Sequence, residues 1–389
     1  MSLDTELYKL LRLGLSESAK ESFRVYSEDE WNALYSLASK LSVVGIAYAG
    51  VNRMPPEFRP PLDIAFQWAS EAETIRGHNR LINTEASRLT ELFRLHGHRS
   101  AILKGAANAR LYHDKFVRQC GDIDIWIDGG KDSLVSLLHE LNLMEWPDLQ
   151  AKSGKKTHEE LVVEAKLKIL DWGHHVQLLP SAAAVSVEAH FKPSSGNRNF
   201  LTNRRLMRYL EREIENVECV PEGFCVPSLK FALTMQLSHI QRHFLAGGIG
   251  FKQIIDYYVL LQVASDDDRS EVSANLKRFG FSRTCAALMW LLSHVLGLSR
   301  DRMLCAPDAR RGRTMLDIVM ADGNFGYYSG VESRSMVPRW FGRRWQVIRL
   351  FSFAPTEIIW SEIDYWTQFL RSIPIRIKLR QISIRELFQ

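Results

Sequence analysis

Gly121-Asp122-Ile123-Asp124-Ile125-Trp126-Ile127 decides how the rest of the chain is read. Isoleucines recur at every second position, the pattern of a half-buried strand. On such a strand Asp122 and Asp124 point to one face and Ile123, Ile125 and Ile127 to the other. Two carboxylates on one face repel unless water screens them or a shared cation neutralises both. Hard oxygen donors at this spacing suit magnesium, which keeps several waters and binds one or two carboxylates together with substrate phosphates. The plain alternative is a solvated strand edge that happens to read D-x-D, because the tripeptide alone is a weak motif.

Upstream, Ala101-Ile102-Leu103 reads as a short buried strand ended by Lys104-Gly105, and Ala106 to Tyr112 as a short helix. A polar loop from His113 to Cys120 leads into the D-x-D strand. Asp132 to Leu143 follows as a helix. Gly105 lets backbone approach a phosphate closely, and a helix opening at Ala106 aims free N–H groups at it. Residues 161–170 fit strand or helix equally. His174 to Leu179 and Val185 to Phe191 read as two strands around Pro180-Ser181-Ala182-Ala183, an antiparallel hairpin. On the second, Val185, Val187, Ala189 and Phe191 share one face, and Glu188 and His190 the other. A turn centred between Ser181 and Ala182 sets Glu188 opposite His175, so His175 and His190 are expected to orient that carboxylate from behind.

Both flanks read as helical. Leu7, Leu10, Leu11 and Leu13 have near-helical spacing, and Ser27 before Glu28, Asp29 and Glu30 reads as a helix start. Met54 to Pro61 is a break, and a long amphipathic helix runs from Leu62 to Leu95. After residue 200, helices are expected over Phe231–Phe244, Phe251–Val263 and Cys285–Leu296. His239 and His243 lie four apart on one face, as zinc ligands can, but no third ligand stands at a recognisable spacing. Asp256 interrupts an apolar helix and is expected to be buried and paired, with His239 or His243 as partner.

The 389 residues suggest two or three domains, divided at 1–97, 98–200 and 201–389. With 46% hydrophobic and 24% charged residues the composition is that of an ordinary globular protein. The net charge of +5 permits an anionic partner without requiring one. It equals the excess of ten basic over five acidic residues beyond residue 331, where Trp340, Phe341 and Trp345 alternate with arginines such as Arg343 and Arg344. A solvated helix face is the expected reading there, rather than a nucleic-acid site. Five scattered cysteines without a C-x-x-C point to a reducing compartment. The start from Met1 to Leu11 has no cleavage signature, and the apolar window from Thr284 to Ser299 is too short to span a membrane. A cytoplasmic location is therefore expected.

Leu103-Lys104-Gly105, Tyr112, Arg118, Gly121-Asp122-Ile123-Asp124 and Val187-Glu188-Ala189-His190 resemble the poorly characterised bacterial nucleotidyltransferase family of the DNA polymerase beta nucleotidyltransferase superfamily. The resemblance is specific over residues 102–191, and the stretch from His239 to Asp256 is similar too. It implies an α+β fold, a small mixed-sheet nucleotidyltransferase core flanked by N-terminal and C-terminal helical regions. It also implies transfer of a nucleoside monophosphate from a nucleoside triphosphate to a hydroxyl, with pyrophosphate released. Two magnesium ions, or manganese in their place, would be held by Asp122, Asp124 and Glu188, with Asp124 and Glu188 on the ion that activates the hydroxyl and Asp122 bridging. Lys104, Gly105, Arg118 and Gly121 would surround the triphosphate. The superfamily places a small hydroxyl or second glycine after the first glycine; here Ala106 stands, so phosphate contacts fall to backbone, Lys104 and Arg118. The acceptor is left open among a small molecule, tRNA or protein. Two other classes share the features: a glycosyltransferase using D-x-D on a nucleotide-sugar, and a non-catalytic nucleotide-binding module. Some ninety helical residues ahead of D-x-D argue against the first, and the intact carboxylates against the second.

Overall fold

The computed structural model describes residues 2–144, 173–180, 185–246, 248–322 and 349–378. The undecided stretch 161–170, the turn at 181–184 and the Arg-Trp stretch near 340 lie outside them. The fold is α+β, helix-rich with a small mixed sheet.

Local chemistry sets the first helices. Helix α1 (Leu3–Leu15) opens on Ser2, whose hydroxyl accepts from the Thr5 N–H, and buries Leu7, Leu10 and Leu11. Helix α2 (Glu28–Lys40) opens on a capping box in which Ser27 and Glu30 satisfy each other's backbone N–H. Helix α3 (Val44–Arg53) and a single 3-10 turn, Pro56–Phe58, lead into α4 (Leu62–Leu95). One end of α4 packs Ile64 and Trp68 into a large helical core; the other packs Ile82, Leu89 and Phe93 against the sheet.

The sheet has four strands in the order β1-β2-β4-β3, where β1 is Ser100–Ile102, β2 Ile123–Ile127, β3 His175–Gln177 and β4 Val187–His190. Strands β2 and β4 are parallel, while β1 and β3 pair antiparallel with them. Helices α5 (Ala106–Ala109) and α6 (Gly130–Glu140) leave β1 and β2 respectively. The alternation read for β2 holds, but the strand is buried on both faces rather than one. Ile123, Ile125 and Ile127 meet α4 and α6, whereas Trp126 joins the helical core. Asp124, only 1% exposed, is thus a carboxylate beneath a second layer of protein and not a solvated edge.

Much of that second layer comes from the C-terminal half, which comprises α7 (Phe200–Glu213), α8 (Leu229–Ala246), α9 (Phe251–Val263), α10 (Asp266–Phe279), α11 (Ser282–Leu296), α12 (Ala309–Asp322) and α13 (Pro355–Lys378). Between α7 and α8 a two-stranded ribbon, β5 (Val217–Cys219) with β6 (Cys225–Pro227), sets Cys219 directly opposite Cys225, and the two form a disulfide. The scattered cysteines are therefore not all unpaired, and the absence of a C-x-x-C does not mean the absence of a disulfide. The missing C-x-x-C hid the pair because a hairpin, not a turn of helix, brings these sulfurs together. Among the described residues no helix is long and apolar enough to cross a membrane; the window at Thr284 is the buried helix α11.

Candidate active site

Parallel pairing of β2 with β4 puts Asp124 beside Glu188, their side chains on one face. Asp122 precedes β2 by one residue and keeps a carboxylate 42% exposed at the mouth of the cleft. His190, two residues along β4, shares the face: its Nε2 lies 3.1 Å from Asp124 Oδ1 and 3.5 Å from Glu188 Oε2. Ligand atoms of Asp124, Glu188 and His190 all lie within 4.8 Å of one another.

The turn after β1 closes the other side. The Leu103 N–H donates to Asp124 O at 2.9 Å, carrying the β1–β2 pairing up to Lys104. Lys104 Nζ reaches Asp124 Oδ2 and stands 3.8 Å from Asp122 Oδ2. An ammonium thus sits where the two carboxylates would share a cation. Burial alone would lower the Lys104 pKa, but Asp124 and Asp122 together carry it above the usual lysine value. Burial likewise opposes ionisation of Asp124, yet Lys104 and His190 hold it well below the usual carboxylate range. The hydrogen bond with His190 lowers Glu188. His190 is pulled down by burial and raised on balance by Asp124 and Glu188.

Gly105 follows at φ +65°, ψ −105°, where a side chain is strained. A Cβ there would lie 3.4 Å from Asp122 O, so the glycine also lets this turn pass close to the D-x-D backbone. The helix it opens is one turn long, and its Asn108 exchanges two hydrogen bonds with Gln236 of α8 at 2.9 and 2.8 Å. Gly121 has no such backbone demand; a Cβ there would meet nothing nearer than Lys252 Nζ at 4.0 Å.

Three expectations need correction. Arg118 does not face the cleft: its guanidinium is buried and bound at both ends by Asp256 at 2.7 Å, with Tyr112 Oη donating to the same carboxylate. Asp256 is buried and paired as expected, but with Arg118 and Tyr112 instead of a histidine. An arginine committed to a buried carboxylate is not free for phosphate. The β3–β4 register is displaced by two residues, so Glu188 opposes Gln177 and His175 opposes His190. A shift of two preserves the face, and His175 Nδ1 still lies 3.6 Å from Glu188 Oε2.

Further residues outside the D-x-D and Glu188 motifs also line or adjoin the cleft. Lys252 of α9 lies beside Gly121, and burial, with Arg118 next, lowers its pKa to about 8. His174 stands against His175 and His190. Burial lowers His174 to about 2 and His243 to about 4, so both are neutral at pH 7. Arg242, His239 and His243 of α8 form the far wall with Met235. The pair at 239 and 243 was visible as a spacing; that it faces strand residues was not.

A family described as an uncharacterised nucleotidyltransferase matches residues 27–297, which include every residue of this cleft. A comparison with curated proteins returns no match.

Proposed function

The chain belongs to the uncharacterised nucleotidyltransferase family, and from that premise we propose that the cleft transfers a nucleoside monophosphate from a nucleoside triphosphate to a hydroxyl. The observation that carries this reading is the parallel register of β2 and β4, which sets Asp124 beside Glu188 with Asp122 at the mouth. The donor set fits divalent magnesium or manganese. Carboxylate oxygens of Asp124 and Glu188 converge with Asp122 at the mouth, and the pair of aspartates already holds a cation, the Lys104 ammonium. Asp122, Asp124 and Glu188 are the residues that would hold the metal, which when bound supplies charge neutralisation and a lowered hydroxyl pKa.

The chain's own groups do the rest. His190 donates to Asp124 and fixes its rotamer beside Glu188. Lys104, displaced from the carboxylates, is within reach of the donor's phosphates, where a charge-assisted contact is worth roughly 1.5–3 kcal/mol. Lys252, beside Gly121, takes the phosphate role first expected of Arg118. Gly105 lets the donor approach the β1 turn. The acceptor hydroxyl enters from the adjoining cleft lined by Lys192, Phe200, Trp360 and Arg371, which shares His174, Ser194 and Arg242 with the carboxylate cleft. Its lining carries more cations than carboxylates (Lys192, Arg198, Arg242 and Arg371 against Glu211 and Asp364), which suits an acceptor that carries negative charge, whether small molecule, tRNA or protein.

The test is incubation of the purified protein and magnesium with each labelled triphosphate and a cell extract as acceptor. Label should pass to one acceptor fraction with release of pyrophosphate. Asp124→Asn and Glu188→Gln should reduce transfer at least a hundredfold while leaving the protein folded. Turnover of a nucleotide-sugar, or transfer undiminished in both variants, would overturn the assignment.

A further inference from the structure

We propose that His174, His175 and His190 form a second cation site, on imidazole nitrogen, that takes a borderline divalent transition metal of the zinc class. The backbone builds it. The β3–β4 register sets His175 directly opposite His190. His174, just ahead of β3, is pinned at the end of β4 by its carbonyl, which accepts from the N–H groups of Phe191 at 3.1 Å and Lys192 at 3.4 Å. The three rings pack with centroids 4.5, 5.2 and 5.2 Å apart, and one nitrogen from each lies within 4.8 Å of the others.

His174 Nε2 and His175 Nδ1 are 3.2 Å apart. Two nitrogens on one tetrahedral zinc ion at 2.0–2.1 Å stand about 3.4 Å apart, so these two already have the spacing of a shared ion. A half-buried histidine ordinarily gives its ring N–H to a carbonyl, a carboxylate or water; among the described residues the ring partner of His174 is another imidazole. His190 turns Nε2 to the carboxylates, and its buried Nδ1 has no hydrogen-bond partner among the described residues. Glu188 Oε2 lies 3.6 Å from His175 Nδ1 and 3.5 Å from His190 Nε2, a carboxylate beside two of the three rings. Three imidazoles and a carboxylate are a zinc-class ligand set, whereas magnesium prefers oxygen alone.

The inference goes beyond the transfer reaction and its test needs no nucleotide. Untagged protein, stripped with chelator, is titrated with cobalt(II) and followed by the visible absorption of four-coordinate cobalt. One equivalent should bind, zinc should displace it stoichiometrically, and magnesium in large excess should not. His174→Ala and His175→Ala should each weaken cobalt binding more than tenfold, while His243→Ala, on the far wall, should not. His174→Asn and His175→Asn repeat the test if an alanine variant fails to fold, as judged by near-UV circular dichroism. The proposal is overturned by failure to saturate near one equivalent, by displacement with magnesium, or by unchanged affinity in the His174 and His175 variants. Loss of nucleotidyl transfer with magnesium alone bears on the preceding reading and not on this one.

Discussion

Lys104 lies against the D-x-D carboxylates and Lys252 beside Gly121, and the two are poised differently. Lys104 is held above the usual lysine value by Asp124 and Asp122, so its ammonium neutralises the carboxylates that the proposed metal would share. Removing it leaves the buried Asp124 with His190 as its remaining partner. Lys104→Met should therefore destabilise the metal-free protein by about 3–5 kcal/mol, the usual cost of breaking a buried pair, and magnesium should restore much of that. Denaturant titrations with and without magnesium check this; a loss that magnesium does not reduce would separate Lys104 from the metal position. Lys252 has its pKa lowered to about 8, burial being the main cause. Below that pH it carries charge for a phosphate, and above it the charge is lost. Since kcat/KM reports free-enzyme ionisations, kcat/KM for the triphosphate should fall as pH rises through about 8, and Lys252→Met should be low and flat over the same range. The sign for stability is opposite. Between about pH 8 and the ordinary lysine value of 10.5 the unfolded chain holds a proton that the folded chain has released, so this residue's contribution to stability rises with pH there. A donor kcat/KM independent of pH from 7 to 9 would remove Lys252 from the phosphate site.

At the scale of elements, what could be read in the sequence was what is decided within a few residues. The capping box of α2 is local chemistry, and so is the two-residue alternation that puts Glu188 and His190 on one side of β4 and Asp124 on one side of β2. The β1 turn is local as well, because φ +65° at Gly105 excludes most side chains. Gly105→Ala should cost about 1–2 kcal/mol for the backbone alone. It should also raise the KM for the triphosphate, since relief of the strained φ would shift the turn that the donor approaches. An unchanged KM in a folded variant would make the glycine a turn residue only. What could not be read is set by topology. Nothing near Arg118 in sequence says that Asp256, 138 residues on, will bury its charge. The β3–β4 offset depends on how the intervening turn is spent, so alternation could fix the face of His175 but not its partner. Lys252 and the His239–His243 wall reach the cleft through long-range packing, in which Asn108 and Gln236 join α5 to α8 and α9 lies beside it.

The whole molecule explains why a small sheet carries so much helix. Its carboxylate face is covered by a core that draws on both ends of the chain, from Leu7, Trp31 and Trp68 to Phe231, Leu288 and Ile358. Polar staples follow the same plan: Arg12 donates to Val295 O at 2.8 Å and Lys40 to Met320 O at 2.8 Å. The first helices also touch the site's support directly. A Cβ on Gly45 of α3 would lie 2.3 Å from Val117 O, in the loop that leads through Arg118 to the D-x-D. The division at 97 and 200 therefore marks changes of sequence pattern across a shared core. A fragment of residues 98–389 would expose the apolar faces that α1, α2 and α4 cover, at about 25 cal/mol per Å² of apolar surface, against a folding stability of only about 5–15 kcal/mol. That fragment should lack a cooperative thermal transition and should bind a hydrophobic dye, and residues 1–97 supplied in trans should restore order to the extent that the helices re-dock. A sharp two-state transition in the fragment alone, with calorimetric and van't Hoff enthalpies equal, would show instead that the site stands on the C-terminal helices without the N-terminal layer.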